Sequence, residues 1–192
     1  MLGNPASASA RQAAEALDEV ARLRGRTRRS LGVAWFPLVC FGVLTMLSAP
    51  LIAGAPPAAL APLWLVAGAA GMVLTRRHYR RRSRQQGVTG RGRRAWIVAA
   101  ALFPACVLAA VAGSMADGAA GGVLASIVVV VAGYFAAGLL QHNSAAALAV
   151  TPGAVLAAAF ILAGLAPWIA ELTFGAAMVA AGTGLRAAGE RA

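Results

Sequence analysis

Acid–base, nucleophilic or metal chemistry would have to be built here from very few side chains: two histidines, two cysteines and six carboxylates. A hydrolase needs a nucleophile with a base in reach, and the histidines are His78, inside an arginine run, and His142, in "QHNS". The G-x-S-x-G nucleophile turn, the zinc-binding H-E-x-x-H and the phosphate-cradling G-x-x-x-x-G-K-[ST] patterns are all missing from the sequence. Cys40 and Cys106 fall within apolar stretches, where a buried free thiol is the ordinary outcome and neither a disulfide nor a metal site is expected. No catalytic set, cofactor site or metal site follows, so the chain is not expected to be an enzyme. What remains is a candidate polar site of two separate groups, Glu171 and His142, because ionisable residues within membrane spans mark transport pathways. Glu171, a few residues past Pro167, reads as a carboxylate at a boundary, able to keep its water. His142 reads as part of a helix-end cluster that pairs with freed carbonyls.

The other chemistry is cationic. Residues 75–94, "TRRHYRRRSRQQGVTGRGRR", hold nine arginines: Arg76, Arg77, Arg80, Arg81, Arg82, Arg84, Arg91, Arg93 and Arg94. Such a run could meet nucleic-acid phosphates, an acidic protein or lipid headgroups. Nucleic-acid binding is favoured by aromatic platforms or a recognisable module, and the run offers only His78 and Tyr79, so no nucleic-acid partner is expected. Headgroups suit it better, since each cation near an anionic leaflet contributes about 1 kcal/mol of salt-screened attraction. The arginines also begin directly at the end of one apolar stretch and resume immediately before the next. An acidic protein partner at the same face stays open.

The elements that must position these groups are written in the composition. The chain is 60% hydrophobic, only 12% charged, and has a mean hydropathy of +0.74, whereas soluble domains carry about a quarter charged residues. A hydrocarbon core of roughly 30 Å takes about 20 apolar residues per helix, and six stretches approach or meet that length: 31–53, 58–75, 95–113, 121–140, 146–165 and 168–185. The fold class expected is an all-α polytopic membrane helix bundle of about six transmembrane helices, with an N-terminal cytoplasmic helix. Its parts are a helix and basic juxtamembrane segment at 1–30, a bundle at 31–192 and a basic cytoplasmic loop at 76–94. The division of 146–185 into two spans rests on Pro167 and a few polar residues, and four or five spans are the alternative count. No cleavable signal peptide is expected, because the first apolar run starts only at Leu31 and is too long for one.

All 17 basic residues are arginine, and with six spans they all fall on one face: before the first span, in 76–94, and at Arg186 and Arg191. Short translocated loops exclude arginine, so both termini and the basic loop are expected in the cytoplasm. The N-terminal segment reads as a lead-in helix, with Ser9 and Gln12 as a capping box and a thin apolar stripe of Leu17, Val20 and Ala21. Within the spans, Gly133 with Ala137 and Ala177 with Ala181 give the small-residue spacing that permits close helix contact.

The stretches "TRRSLGVAWFPLVCFGVLTMLSAPL" and "WLVAGAAGMVLTRRHYRRRSRQQGV" resemble those of small alanine- and arginine-rich multispanning membrane proteins of unknown function from high-GC bacteria, over roughly the first 90 residues. The resemblance implies multi-pass residence in a bacterial plasma membrane and brings no site. Two functions follow from the sequence: a non-catalytic integral membrane subunit or scaffold, or a membrane-embedded substrate-binding or permease component of a transporter. They differ in whether the bundle encloses a polar-lined cavity near Trp64, Trp168, Glu171 and Thr173. Oligomeric state is left open.

Overall fold

The computed structural model describes residues 15, 17–20, 35–54, 57–85, 92–141 and 144–191, with side chains at 15, 17–20, 35–54, 62–81, 84, 100–140 and 144–188. Among them the fold is all-α. Helices α1 (Trp35–Gly54), α2 (Pro57–Gln85), α3 (Gly92–Gln141), α4 (Ala145–Leu162) and α5 (Pro167–Arg191) follow one another through short connections. Residues 15 and 17–20 are helical and exposed, Leu17 and Val20 included; the rest of the expected N-terminal helix lies outside the described residues.

Four stretches are long and apolar enough to cross a membrane: Trp35–Gly54, Ala100–Leu140, Ala145–Leu162 and Pro167–Ala188. The second has 41 residues, about 60 Å of straight helix at 1.5 Å per residue, twice what a bilayer core needs. It is two passes. Asp117 (φ −144°, ψ 35°) and Gly118 (φ 59°, ψ −151°) break α3, and the positive φ at Gly118 is a conformation that only glycine takes cheaply. The halves then fold back on each other so closely that a Cβ on Gly113 would strike the Gly121 carbonyl, and one on Gly133 would strike Leu102. Counting the two halves of α3 separately, the described residues hold five long apolar segments; α2 is not among them, because its second half carries the arginines.

The turn between α4 and α5 settles the division of 146–185. Gly164 adopts φ 75°, its N–H donates to the Ile161 carbonyl (3.0 Å), and Leu165 N–H donates to the Phe160 carbonyl (3.0 Å). This Schellman arrangement satisfies carbonyls that hydrocarbon could not. Pro167 then opens α5 at a position whose N–H needs no acceptor.

Packing runs from α2 to α1, from α1 to α5, and from α5 through α4 to α3, which returns to α2 and also meets α5. The core is small: Leu38, Val150, Ala157, Ala170, Phe174 and Met178 at its centre, with Val123 and Ile127 from α3. Large apolar side chains such as Leu47, Val66, Leu108, Val128, Leu148 and Leu162 point outward instead. That much uncovered apolar surface fits lipid as the surrounding solvent.

The most extensive helix contact is between α1 and α5, which run antiparallel. Gly42 and Gly175 face each other across their backbones, and Gly182 packs on Trp35 and Leu38. One expectation changes. Residues 76–85 are not loop but the continuation of α2, because nothing in "RRHYRRRSRQ" breaks a helix and arginine is a good helix former. Likewise 92–94 begin α3, and only 86–91 of the expected loop lie outside the described residues.

A methyl group on Gly175 would lie 2.8 Å from the Gly42 carbonyl oxygen and 2.9 Å from the Met46 nitrogen, both backbone atoms, whereas one on Gly184 would meet nothing within 4 Å. Gly175→Val should therefore lower the unfolding temperature of the detergent-solubilised protein, with an overpacking cost of about 1–3 kcal/mol, and Gly184→Ala should not. Equal effects of the two would show that the α1–α5 seam is looser than this geometry.

Candidate functional site

Two regions hold polar chemistry, one inside the bundle and one at its arginine-bearing end. Inside, Glu171 lies four residues after Pro167, about 6 Å along the axis. Antiparallel α1 continues past that level to Gly54 and covers it. The result corrects the sequence-based expectation: Glu171 is only 6% exposed and does not sit at a wet boundary. Hydropathy marks the start of a span, but not whether a neighbouring helix overlaps it.

Its partner is Ser48 on α1, 1% exposed, whose Oγ lies 3.1 Å from Glu171 Oε1 and 2.8 Å from the Thr45 carbonyl oxygen. Thr45, also buried, donates from Oγ1 to the Phe41 carbonyl (2.9 Å). No cation among the described residues pairs with Glu171, so its burial is balanced by hydrogen bonding alone. Ser48 and Thr45 were not foreseen as site residues. The only trace of them in sequence is their three-residue spacing, which puts both on one face of α1.

Beside this pair lies an apolar groove of about 360 Å³, lined by Ala49, Pro50 and Ala53 from α1 and by Trp168 and Leu172 from α5. A substrate pocket combines apolar walls with a few convergent polar groups, and this lining brings none. The nearby hydroxyl of Thr173 donates to the Ile169 carbonyl of its own helix (2.7 Å). Thr151 and Ser126 likewise donate to Ala147 and Val123 within their own helices. Hydroxyls committed to their own backbone have no free proton for a ligand.

At the other end, α2 carries Arg76, Arg77, Arg80, Arg81 and Arg84 outward over its last turns. Between them, His78 and Tyr79 turn inward. The His78 ring stacks on Phe36 (centroids 4.1 Å, planes 3° apart) and meets Trp35 (5.4 Å) and Tyr79 (5.5 Å) edge-on. Arg186 of α5 lies over the Trp35 ring at 5.1 Å, a cation–π distance. This pad ties the start of α1, the arginine-bearing turns of α2 and the end of α5 into one end of the bundle. Ser48 is 13 residues from Trp35, so the two regions are about 20 Å apart.

Of the residues singled out from sequence, the five described arginines of α2 are together, and the backbone of Arg93 and Arg94 opens α3. The side chain of Arg82, and Arg91 and His142 altogether, lie outside the described residues. The described residues hold no cluster of metal-ligating side chains, and the two cysteines are free thiols. No family model matches this chain, and neither the curated proteins nor the solved structures contain a match.

Glu171→Gln keeps the size of the side chain and supplies an amide that can donate to Ser48, so that variant should purify monodisperse from detergent. Glu171→Lys places a cation in a buried position where no carboxylate among the described residues pairs with it, a change on the scale of several kcal/mol, and should aggregate. Size-exclusion profiles of the pair measure this, and a monodisperse Lys variant would mean that water reaches the position.

Proposed function

We propose that this chain is a non-catalytic integral membrane subunit or scaffold of a bacterial plasma membrane, whose arginine-bearing end faces the cytoplasm and holds anionic lipid headgroups. The observation that carries the reading is α2. It has 29 residues, about 43 Å of helix, so its arginine turns extend beyond a core of roughly 30 Å. The exposed arginines start where the apolar part of the helix stops, and the aromatic pad brings Arg186 to the same end. Arginines gathered at one end are what cytoplasmic retention of basic segments would produce. Extended along a rigid helix, they present charge from the headgroup plane outward, where an acidic protein partner could also dock. Nothing in the run builds a nucleic-acid reading module.

A transporter component is the second reading, and the burial of Glu171 is the observation in its favour, because intramembrane carboxylates commonly serve transport. The apolar lining of the adjoining groove supports the scaffold reading over it.

Orientation is tested with single cysteines at Ser83 and Ala119 in a background lacking Cys40 and Cys106. A membrane-impermeant maleimide on intact cells should label position 119 and spare position 83; the reverse pattern would put the arginines outside. Headgroup binding is tested in nanodiscs. Replacing Arg80, Arg81, Arg82 and Arg84 with Gln removes four cations at about 1 kcal/mol each, on the order of a thousandfold in affinity for anionic lipid at low salt. Unchanged lipid retention, or sequence-selective RNA or DNA binding by the parent at physiological salt, would sink the headgroup assignment.

A further inference from the structure

The Ser48 hydroxyl has one proton to give, and it stands within hydrogen-bond distance of two acceptors, the Thr45 carbonyl oxygen at 2.8 Å and Glu171 Oε1 at 3.1 Å. With Ser48 as sole donor the two contacts share one proton in a three-centre bond; two full hydrogen bonds form when the carboxyl supplies the second proton. The chain is then complete: the Glu171 O–H donates to Ser48 Oγ, and the Ser48 O–H donates to the Thr45 carbonyl. As an anion, Glu171 would compete with that carbonyl for a single proton, in a place with no cation among the described residues to balance it.

Surroundings decide how such a proton could leave. Among the helices packed on α5, α1 carries Cys40 as its only titratable group, α4 carries none, and α3 carries Cys106, Asp117 and Tyr134, with Arg93 and Arg94 at its far end. The Cys106 Sγ is turned to the Ser126 carbonyl at 3.9 Å. On α5 itself the other charged groups, Arg186, Glu190 and Arg191, lie at the opposite end. Among the described side chains, Ser48 is the one hydrogen-bonded to the carboxyl, so no titratable group among them relays its proton in the closed bundle. The nearest opening is the groove between α1 and α5, since Ala49 follows Ser48 and Trp168 and Leu172 flank Glu171. Its walls are apolar. One turn further in, the backbone contact of Gly42 with Gly175 clamps the same two helices.

We propose that Glu171, held by Ser48, is a proton-binding site of the bundle, filled while the α1–α5 seam is closed and emptied when the seam parts at the groove of Ala49, Pro50, Ala53, Trp168 and Leu172. The Gly42–Gly175 contact is the fixed point about which the ends of α1 and α5 separate. Trp168, at the edge of that groove, reports the parting. The site goes beyond the headgroup-binding role and does not depend on it, because it lies at the other end of the bundle.

The test uses the full chain in nanodiscs and the hydrophobic reagent dicyclohexylcarbodiimide, which adds the O–H of a protonated carboxyl across one of its C=N bonds and leaves a stable acylurea after rearrangement. Peptide mass spectrometry should find the adduct on Glu171 near neutral pH, falling as pH rises, with no adduct at that position in Glu171→Gln. Over the same range, acrylamide quenching of tryptophan fluorescence should increase with pH in the parent. That increase should be lost in Glu171→Gln and also in Trp168→Phe. Ser48→Ala should retain the adduct and shift its pH dependence, since the carboxyl loses the group that receives its proton. The proposal is overturned if Glu171 takes no label at any pH at which the protein stays folded, if its labelling is flat across that range, or if the quenching response survives in Glu171→Gln.

Discussion

Gly42 on α1 and Gly175 on α5 approach until a methyl group on either would press against the carbonyl of the other. Within a bilayer this contact does what a hydrophobic core does in water. Lipid tails are as apolar as leucine, so burying leucine gains little, and helices associate through close packing and the hydrogen bonds that close packing allows. The rest of the bundle is arranged around that seam. Gly182 seats the end of α5 on Trp35 and Leu38, and the antiparallel register so defined brings Ser48 level with Glu171 and Arg186 over Trp35. Sliding either helix by one turn would separate the carboxyl from its hydroxyl and the guanidinium from its ring at once.

The same economy of small side chains shapes the other contacts. Gly113 and Gly121 let the two halves of α3 meet just below the break at Asp117 and Gly118, Gly133 receives Leu102, and Gly153 on α4 receives Ala177 of α5. Hydroxyls are turned back onto their own helices at Thr45, Thr151, Thr173 and Thr183, which satisfies them without a partner helix. Ser48 is different in reaching across to a second helix as well, and it does so to a carboxyl. In a medium that solvates neither group, that bond matters more to the geometry of the seam than its modest net energy in water would suggest.

The two polar regions are held by opposite physics. At the arginine end, charge is kept wet on a helix long enough to leave the hydrocarbon, while between the arginines of the same turns His78 fastens α2 to α1 through Trp35 and Phe36. At the other end a single carboxyl is kept dry, with its neighbours on α1 and α5 apolar apart from Ser48 and Thr45. The first arrangement tolerates many cations because each keeps its water. The second leaves no room for an unpaired cation beside it.

Hydropathy and charge made the all-α membrane character legible in the residues themselves. Six apolar segments follow from length, and the turns at Asp117–Gly118 and at Gly164–Pro167 carry residues that suit a chain reversal. The bunching of arginine was equally plain, because a charge pattern is local. What the sequence by itself could not determine was which helix lies against which, and so it left Glu171 at a boundary, Ser48 unnoticed and residues 76–85 in a loop. Helix continuation past the bilayer costs nothing that a hydropathy reading can see, so the arginine turns of α2 emerged only with the structure. The burial of Glu171 depends on α1 running past it in antiparallel register, which is set by glycine contacts more than 120 residues apart in the chain. Such contacts belong to tertiary packing, because close approach in lipid depends on the shapes of two helix surfaces together and on neither one alone.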